Sequence, residues 1–202
     1  MVESLREQQK RVAQERILVA AGDEIVERGP ANLSLAAVAD RAGVSERTLY
    51  NYFQTRENLL RSLGEYSDEL TEAHGGRDID TDPDRLPQTI KTNWATWDAQ
   101  GSLAKAIILL NAAALTTEGA ADGEGGRART AAFREGLSSV RPDLADEHLD
   151  TIAAFVRSMV SGRTWYRMTE ELGADSEASA TVAAWAYEVI RDALRDGRGP
   201  FD

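Results

Sequence analysis

Apolar residues return every third or fourth position along almost the whole chain, and no alternation of period two persists for long. A helix brings positions three and four apart onto one face, whereas a strand does so for every second residue. A chain patterned in this way folds as an all-α protein. Ile17, Leu18, Ala21 and Ile25 mark the inner face of a first helix that runs from about Leu5 and stops at Gly29-Pro30. Ser34, Ser45 and Thr55 stand where their hydroxyls can accept from the free amides that open a second, third and fourth helix.

Beyond about His74 the stretch GGRDIDTDPDRLP reads as a loop, and EGAADGEGG is the least structured part of the interior. Between and after them the pattern predicts helices over Leu86 to Gly101, Leu103 to Thr117 and Arg127 to Val140. A long helix from about Leu144 to Leu172 follows, and a last one from about Ser176 to Arg195. That makes nine: three in an N-terminal helix-turn-helix head, residues 1–62, and six in a regulatory and dimerisation body, residues 63–202.

Charge divides the chain at the same place. Residues 1–63 hold nine Lys+Arg against nine Asp+Glu, so the remainder carries the whole net charge of −11. A neutral head on an acidic body implies two surfaces with different partners. With no cysteine, disulfides, thiol sensing and thiolate zinc sites are excluded. The opening MVESLREQQK has no apolar stretch of a secretory signal, and the longest apolar run, Ala106 to Leu115, is short of the roughly 18 residues that a membrane span requires. The expectation is a cytoplasmic protein with no membrane partner.

The most informative segment is AGVSERTLYNYF, Ala42 to Phe53. Gly43 lies four residues after the small Ala39 and suits a tight turn between two helices, with Leu35, Val38, Ala42, Val44, Leu49 and Phe53 turned inward. Ser45, Glu46, Arg47, Thr48, Tyr50, Asn51 and Tyr52 then face outward. Arg47 can bond guanine bidentately, Asn51 can pair with adenine, and Glu46 can accept from cytosine. Threonine and tyrosine hydroxyls can bond phosphates without a charge to desolvate. The same residue types also read as an ordinary surface helix whose tyrosines pack against the first helix. Arg41, Arg47 and Arg56 give the face positive charge although the head sums to zero. Arg6, Lys10 and Arg11 read either as an arm toward DNA or as the solvated start of an amphipathic helix.

From Arg16 to about Leu63, in ILVAAGDEIVERG, LSLAAVADRAGVSERTLYNYF and TRENLL, the sequence resembles the DNA-binding head of the TetR family of transcriptional regulators. The resemblance covers about a quarter of the chain. It implies that Glu46 and Arg47 face base edges, and that Ser34, Ser45, Thr48, Tyr50 and Tyr52 touch phosphates or support residues that do. Arg56 stands where the family usually has a phosphate-seeking lysine. Ala36 and Ala37 replace longer polar residues, so the second helix reads few bases. The resemblance further implies a homodimer on a near-palindromic double-stranded DNA operator, a small organic effector, and no cofactor. The effector would press on the fourth helix and alter the separation of the two heads.

For the dimer, the residues themselves offer an apolar stripe of Val182, Trp185, Val189 and Ala193 on the last helix. Ile152, Val156, Met159 and Val160 do the same on the helix before it. For the effector, Trp94, Trp97, Phe155, Met159, Arg163, Trp165 and Tyr166 are candidate walls of an aromatic cavity, and equally candidate core. A helical protein-interaction module, or a DNA binder without a ligand, remains open beside this reading. An enzyme finds no support: His74 and His148 have no second histidine at metal spacing, and GEGG at Gly123 to Gly126 follows no strand.

Overall fold

The computed structural model describes residues 4–73, 80–116 and 124–201. His74 and the part of the glycine-rich stretch up to Gly123 lie outside the described residues. Among the described residues there are ten α-helices and no strand. They are α1 (Leu5–Arg28), α2 (Leu35–Ala42), α3 (Glu46–Phe53), α4 (Arg56–Ala73), α5 (Leu86–Gln100), α6 (Ser102–Thr116), α7 (Glu124–Val140), α8 (Asp146–Met159), α9 (Gly162–Tyr166) and α10 (Ser176–Arg195). None is long and apolar enough to cross a membrane.

The helices form two compact units that interleave along the chain: residues 1–74 with 100–116, and residues 75–99 with 117–202. In the first, α1 begins with a reciprocal cap. The Ser4 hydroxyl accepts from the Glu7 amide, and the Glu7 carboxylate accepts from the Ser4 amide at 2.9 Å. Arg6, Lys10 and Arg11 therefore lie on an exposed helix and not on an extended arm. Ile17, Ala21 and Ile25 turn into a core shared with Val38, Leu49, Leu59 and Leu63. α6 joins this unit. It meets α1 at Gly22, where a methyl group would stand 3.5 Å from the Leu103 Cα, and it adds Leu103 and Ala106 to the same core.

In the second unit α7 packs chiefly along α8, whose Leu149, Ile152, Ala153 and Val156 are buried at helical spacing. Arg195 grips Asp84 through both carboxylate oxygens at 2.8 and 2.9 Å, and Arg191 donates to the Pro83 carbonyl at 3.2 Å. These contacts tie the segment before α5 to the last helix.

One expected element is divided. The long helix drawn from Leu144 to Leu172 stops at Met159 and restarts at Gly162 as α9, which runs into a π turn at Arg167–Glu171. Hydroxyl groups make the break. Ser161 and Thr164 both donate to the Ser158 carbonyl, at 2.8 and 2.7 Å, and the Ser161 hydroxyl accepts from the Thr164 amide at 3.3 Å. The carbonyl that would have continued the ladder is thus taken by side chains while a fresh N-cap forms.

Candidate nucleic-acid interface

Local chemistry fixes the two short helices. Ser34 caps α2 by accepting from the Ala37 amide at 3.3 Å, and Ser45 caps α3 by accepting from the Thr48 amide at 3.1 Å. Between them Gly43 takes a left-handed conformation, φ 67° and ψ 37°. Its amide and that of Val44 return to the carbonyls of Asp40 and Ala39. This is the turn that a side chain at position 43 would strain. After α3, Gln54 at φ 60° turns the chain sharply, and the Thr55 hydroxyl caps α4 by accepting from the Asn58 amide at 3.1 Å.

The result sorts α3 by face. Leu49 and Phe53 are buried and Val44 packs half-buried against the same core, while Glu46, Arg47, Tyr50 and Asn51 stand in solvent. The two tyrosines part ways: Tyr52 packs on the core with its ring edge toward Phe53, 6.4 Å between centroids, and Tyr50 points out. Ser45 and Thr48 bond each other through their hydroxyls at 2.8 Å, which leaves both at the exposed start of the helix.

The three arginines expected to make this surface positive are not equivalent. Arg41 is held by α1, with Glu27 at 2.6 Å, Glu24 at 3.7 Å and Asp23 at 4.0 Å. The hydrogen bond from Arg41 keeps the Glu27 carboxyl below the usual carboxylate range. Arg56 donates to the Pro30 carbonyl at 2.6 Å. Arg47 is exposed and makes no ion pair among the described residues. The positive charge on the exposed face of α3 therefore centres on Arg47, and Arg41 serves to fasten α2 to α1.

In the second unit three of the four tryptophans, Trp94, Trp97 and Trp165, are packed. Trp94 and Trp165 are each 1% exposed, and half-buried Trp97 lies against Trp165 with ring centroids 5.9 Å apart. The Trp165 indole donates to Asp98 at 2.9 Å, while the buried Trp94 indole N–H has no hydrogen-bond partner among the described residues. Met159 and Tyr166 are half-buried, and Arg163 is exposed. Phe155, expected among the cavity walls, lies on the outer face of α8, beside a cleft of about 560 Å³ that none of the three tryptophans lines.

The two stripes expected to pair subunits also differ. Val182, Trp185 and Val189 are exposed along α10, and Ala193 is half-buried. Ile152, Val156 and Val160 are buried in the protomer, because α8 spends that face on its own core. The apolar residue that α8 presents outward is Phe155. Sequence periodicity marked both faces as apolar but not which one the protomer would cover.

Comparison with known proteins bears on this geometry. Residues 17–63 match the profile of bacterial regulatory proteins of the tetR family. No curated protein matches the chain. Among solved structures, a transcriptional regulator from Rhodococcus sp. Rha1 is similar, with 22% identity, 86% of this chain and 95% of that chain covered, and a TM-score of 0.53. A putative TetR-family transcriptional regulator from Syntrophomonas wolfei str. Goettingen is similar with 14% identity, 90% and 96% coverage, and a TM-score of 0.58. At such identities the likeness speaks for the fold.

Proposed function

This chain belongs to the tetR family of bacterial regulatory proteins through residues 17–63, and we propose that it acts as a dimeric repressor released from its operator by a small organic ligand. One observation carries the DNA part. α3 is anchored by buried Leu49 and Phe53 and offers Glu46, Arg47, Tyr50 and Asn51 to solvent, with Arg47 unpaired among the described residues. Arginine, asparagine and glutamate on one exposed helix suit base edges in the major groove, with Arg47 as the bidentate reader of guanine. Ser34, Ser45, Thr48 and Tyr50 then position the helix on phosphates, supported by Tyr52 and Arg56.

In this reading residues 1–62 bind DNA, and residues 63–202 bind the effector and pair the subunits. The exposed Val182, Trp185 and Val189 on α10 and Phe155 on α8 support a two-fold dimer, which presents two copies of α3 to matching half-sites. The Trp94 indole N–H, buried without a partner among the described residues, supports a ligand that brings a hydrogen-bond acceptor. A ligand that favours another separation of the two α3 helices lowers operator affinity, and by linkage it binds the DNA-free form more tightly.

Footprinting on the promoter DNA that the purified protein retains tests the first part. The expected result is a two-fold site with half-site centres roughly 34–36 Å apart, or a multiple of that repeat, and an affinity that falls steeply with salt. A footprint without two-fold character, or salt-independent binding, rejects it. Release is tested by adding small aromatic compounds to the protein–operator complex and following anisotropy and tryptophan emission together.

A further inference from the structure

We infer that Glu24, buried within the head, sets how α2 is seated on α1 and thereby where α3 aims its exposed side chains. The inference rests on the DNA-binding reading above and adds to it a positioning residue that itself touches no DNA.

Glu24 is 1% exposed, and neither of its carboxylate oxygens has a hydrogen-bond partner among the described residues. Two guanidinium groups stand against it instead. Arg28, the last residue of α1, brings its Nε to 3.2 Å from one oxygen, and Arg41, near the end of α2, brings an Nη to 3.7 Å from the other. Arg41 also meets Glu27 at 2.6 Å and Asp23 at 4.0 Å, but those carboxylate side chains are 53% and 35% exposed. Pairs open to water hold a guanidinium only weakly in place. The pair with Glu24 is of another kind. A buried carboxylate that loses a partner has no water to turn to, so any slide of α2 that withdraws Arg41 is penalised steeply. Such a pair adds little net stability over an apolar contact, yet it discriminates between packings that are otherwise nearly equivalent.

α2 needs such a guide. It packs chiefly on α1, and the residues it buries are Val38, Ala39 and Ala42. Side chains this small make shallow ridges, which interlock little and leave the register of the two helices loosely set. Whatever seats α2 is handed on to α3, because the turn between them is hydrogen-bonded. The Gly43 amide donates to the Asp40 carbonyl at 3.0 Å and the Val44 amide to the Ala39 carbonyl at 2.9 Å, while Leu49 and Phe53 hold α3 in the core. Glu46, Arg47 and Asn51 must be placed within about 0.5 Å to read base edges. A buried charge on α1 thus governs discrimination between bases from a place where it can touch none of them.

The test compares the full chain as wild type, Glu24→Leu, Arg41→Leu and the double variant. Anisotropy is read on the footprinted operator and on random DNA, and amide hydrogen exchange is read without DNA. Glu24→Leu removes one negative charge, so electrostatics alone predicts tighter binding to every DNA. The expected result on the operator is the reverse: affinity about tenfold weaker there and within about twofold of wild type on random DNA. The urea midpoint should stay at or above that of wild type, since leucine replaces a buried charge with apolar volume. In the same variant the Gly43 and Val44 amides should exchange about tenfold faster, through local opening of the turn. The double variant should lose no more operator affinity than Arg41→Leu alone, because without Arg41 the carboxylate has nothing to place. Circular dichroism confirms that the variants fold, and Glu24→Gln, which removes the charge and keeps the shape, carries the test if Glu24→Leu does not. Operator affinity that is unchanged or improved in Glu24→Leu, or that falls equally on random DNA, overturns the inference and leaves the DNA reading standing. A wild type that does not distinguish operator from random DNA rejects the DNA reading itself. The exchange rates then decide on Glu24 alone: faster exchange at Gly43 and Val44 upholds its hold on α2, and rates equal to wild type overturn it.

Discussion

The guanidinium of Arg56, first residue of α4, donates to the main-chain carbonyl oxygen of Pro30 at 2.6 Å. That bond fastens the start of α4 to the turn that joins α1 to α2, the same turn from which Ser34 opens the helix-turn-helix. A side chain expected to meet phosphate is therefore also a strut within the head. Its remaining N–H groups stay available to an anion, since an arginine has five donors. Replacing Arg56 with alanine should lower the unfolding free energy by about 1 kcal/mol, the net worth of one partly solvated hydrogen bond. Urea denaturation reads this, and an unchanged midpoint would show the bond to be idle.

Arg47 should behave in the opposite way. It is exposed and unpaired among the described residues, so Arg47→Ala should leave stability within about 0.5 kcal/mol of wild type. It should instead cost about 1–3 kcal/mol at one base position, through loss of a bidentate contact. Anisotropy titrations on the operator, its single-base variants and random DNA separate the two roles. Equal losses on operator and random DNA would make Arg47 a phosphate contact.

What the sequence disclosed follows from how far each cause reaches. The caps at Ser34, Ser45 and Thr55 and the turn at Gly43 depend on groups within a few residues, so both the helix-turn-helix and its outward face were legible. Arg41 was counted toward a positive face because its partners, Asp23, Glu24 and Glu27, lie one helix upstream and only the packing of α2 on α1 brings them together. α8 carries apolar residues on two faces, and the choice of Ile152 and Val156 for the core over Phe155 is made by its packing against α7. The break after Met159 did leave a signal in Ser161-Gly162, a common punctuation pair. The apolar pattern running from Val156 through Val160 to Trp165 concealed it.

The two buried tryptophans should respond differently to replacement by phenylalanine. Trp165 would lose its 2.9 Å bond to Asp98 together with ring area. Trp94 would lose ring area but also shed an indole N–H that is buried without a partner among the described residues, a group whose desolvation is a standing cost of about 1–3 kcal/mol. Trp94→Phe should therefore destabilise the protein less than Trp165→Phe, by about 1 kcal/mol or more. Chemical denaturation of the two variants side by side decides it, and the reverse order would mean that the Trp94 N–H is satisfied in solution.

Tyr187 gives the fold an alkaline limit. Its side chain is 1% exposed in the second unit, and burial pushes the phenol up to about 12 from an ordinary value near 10; Arg191 and Arg195 pull it partly back. The sign follows from which state holds the proton. Below pH 10 the phenol is protonated in both folded and unfolded chains and contributes no pH dependence. Between pH 10 and 12 the unfolded chain releases its proton while the folded one keeps it, so stability falls as pH rises through this window. The loss should total about 2–3 kcal/mol by pH 12, since a proton held by one state alone changes stability by about 1.4 kcal/mol for every pH step of one. Tyr66, raised in the same direction chiefly by burial, adds a share of its own. Tyr187→Phe should accordingly flatten the decline between pH 10 and 12 without abolishing it, and should leave the slope below pH 10 as it is in wild type. Urea midpoints measured at half-unit steps over that window check both statements. Parallel profiles for variant and wild type would mean that Tyr187 ionises as freely in the folded protein as in the unfolded chain.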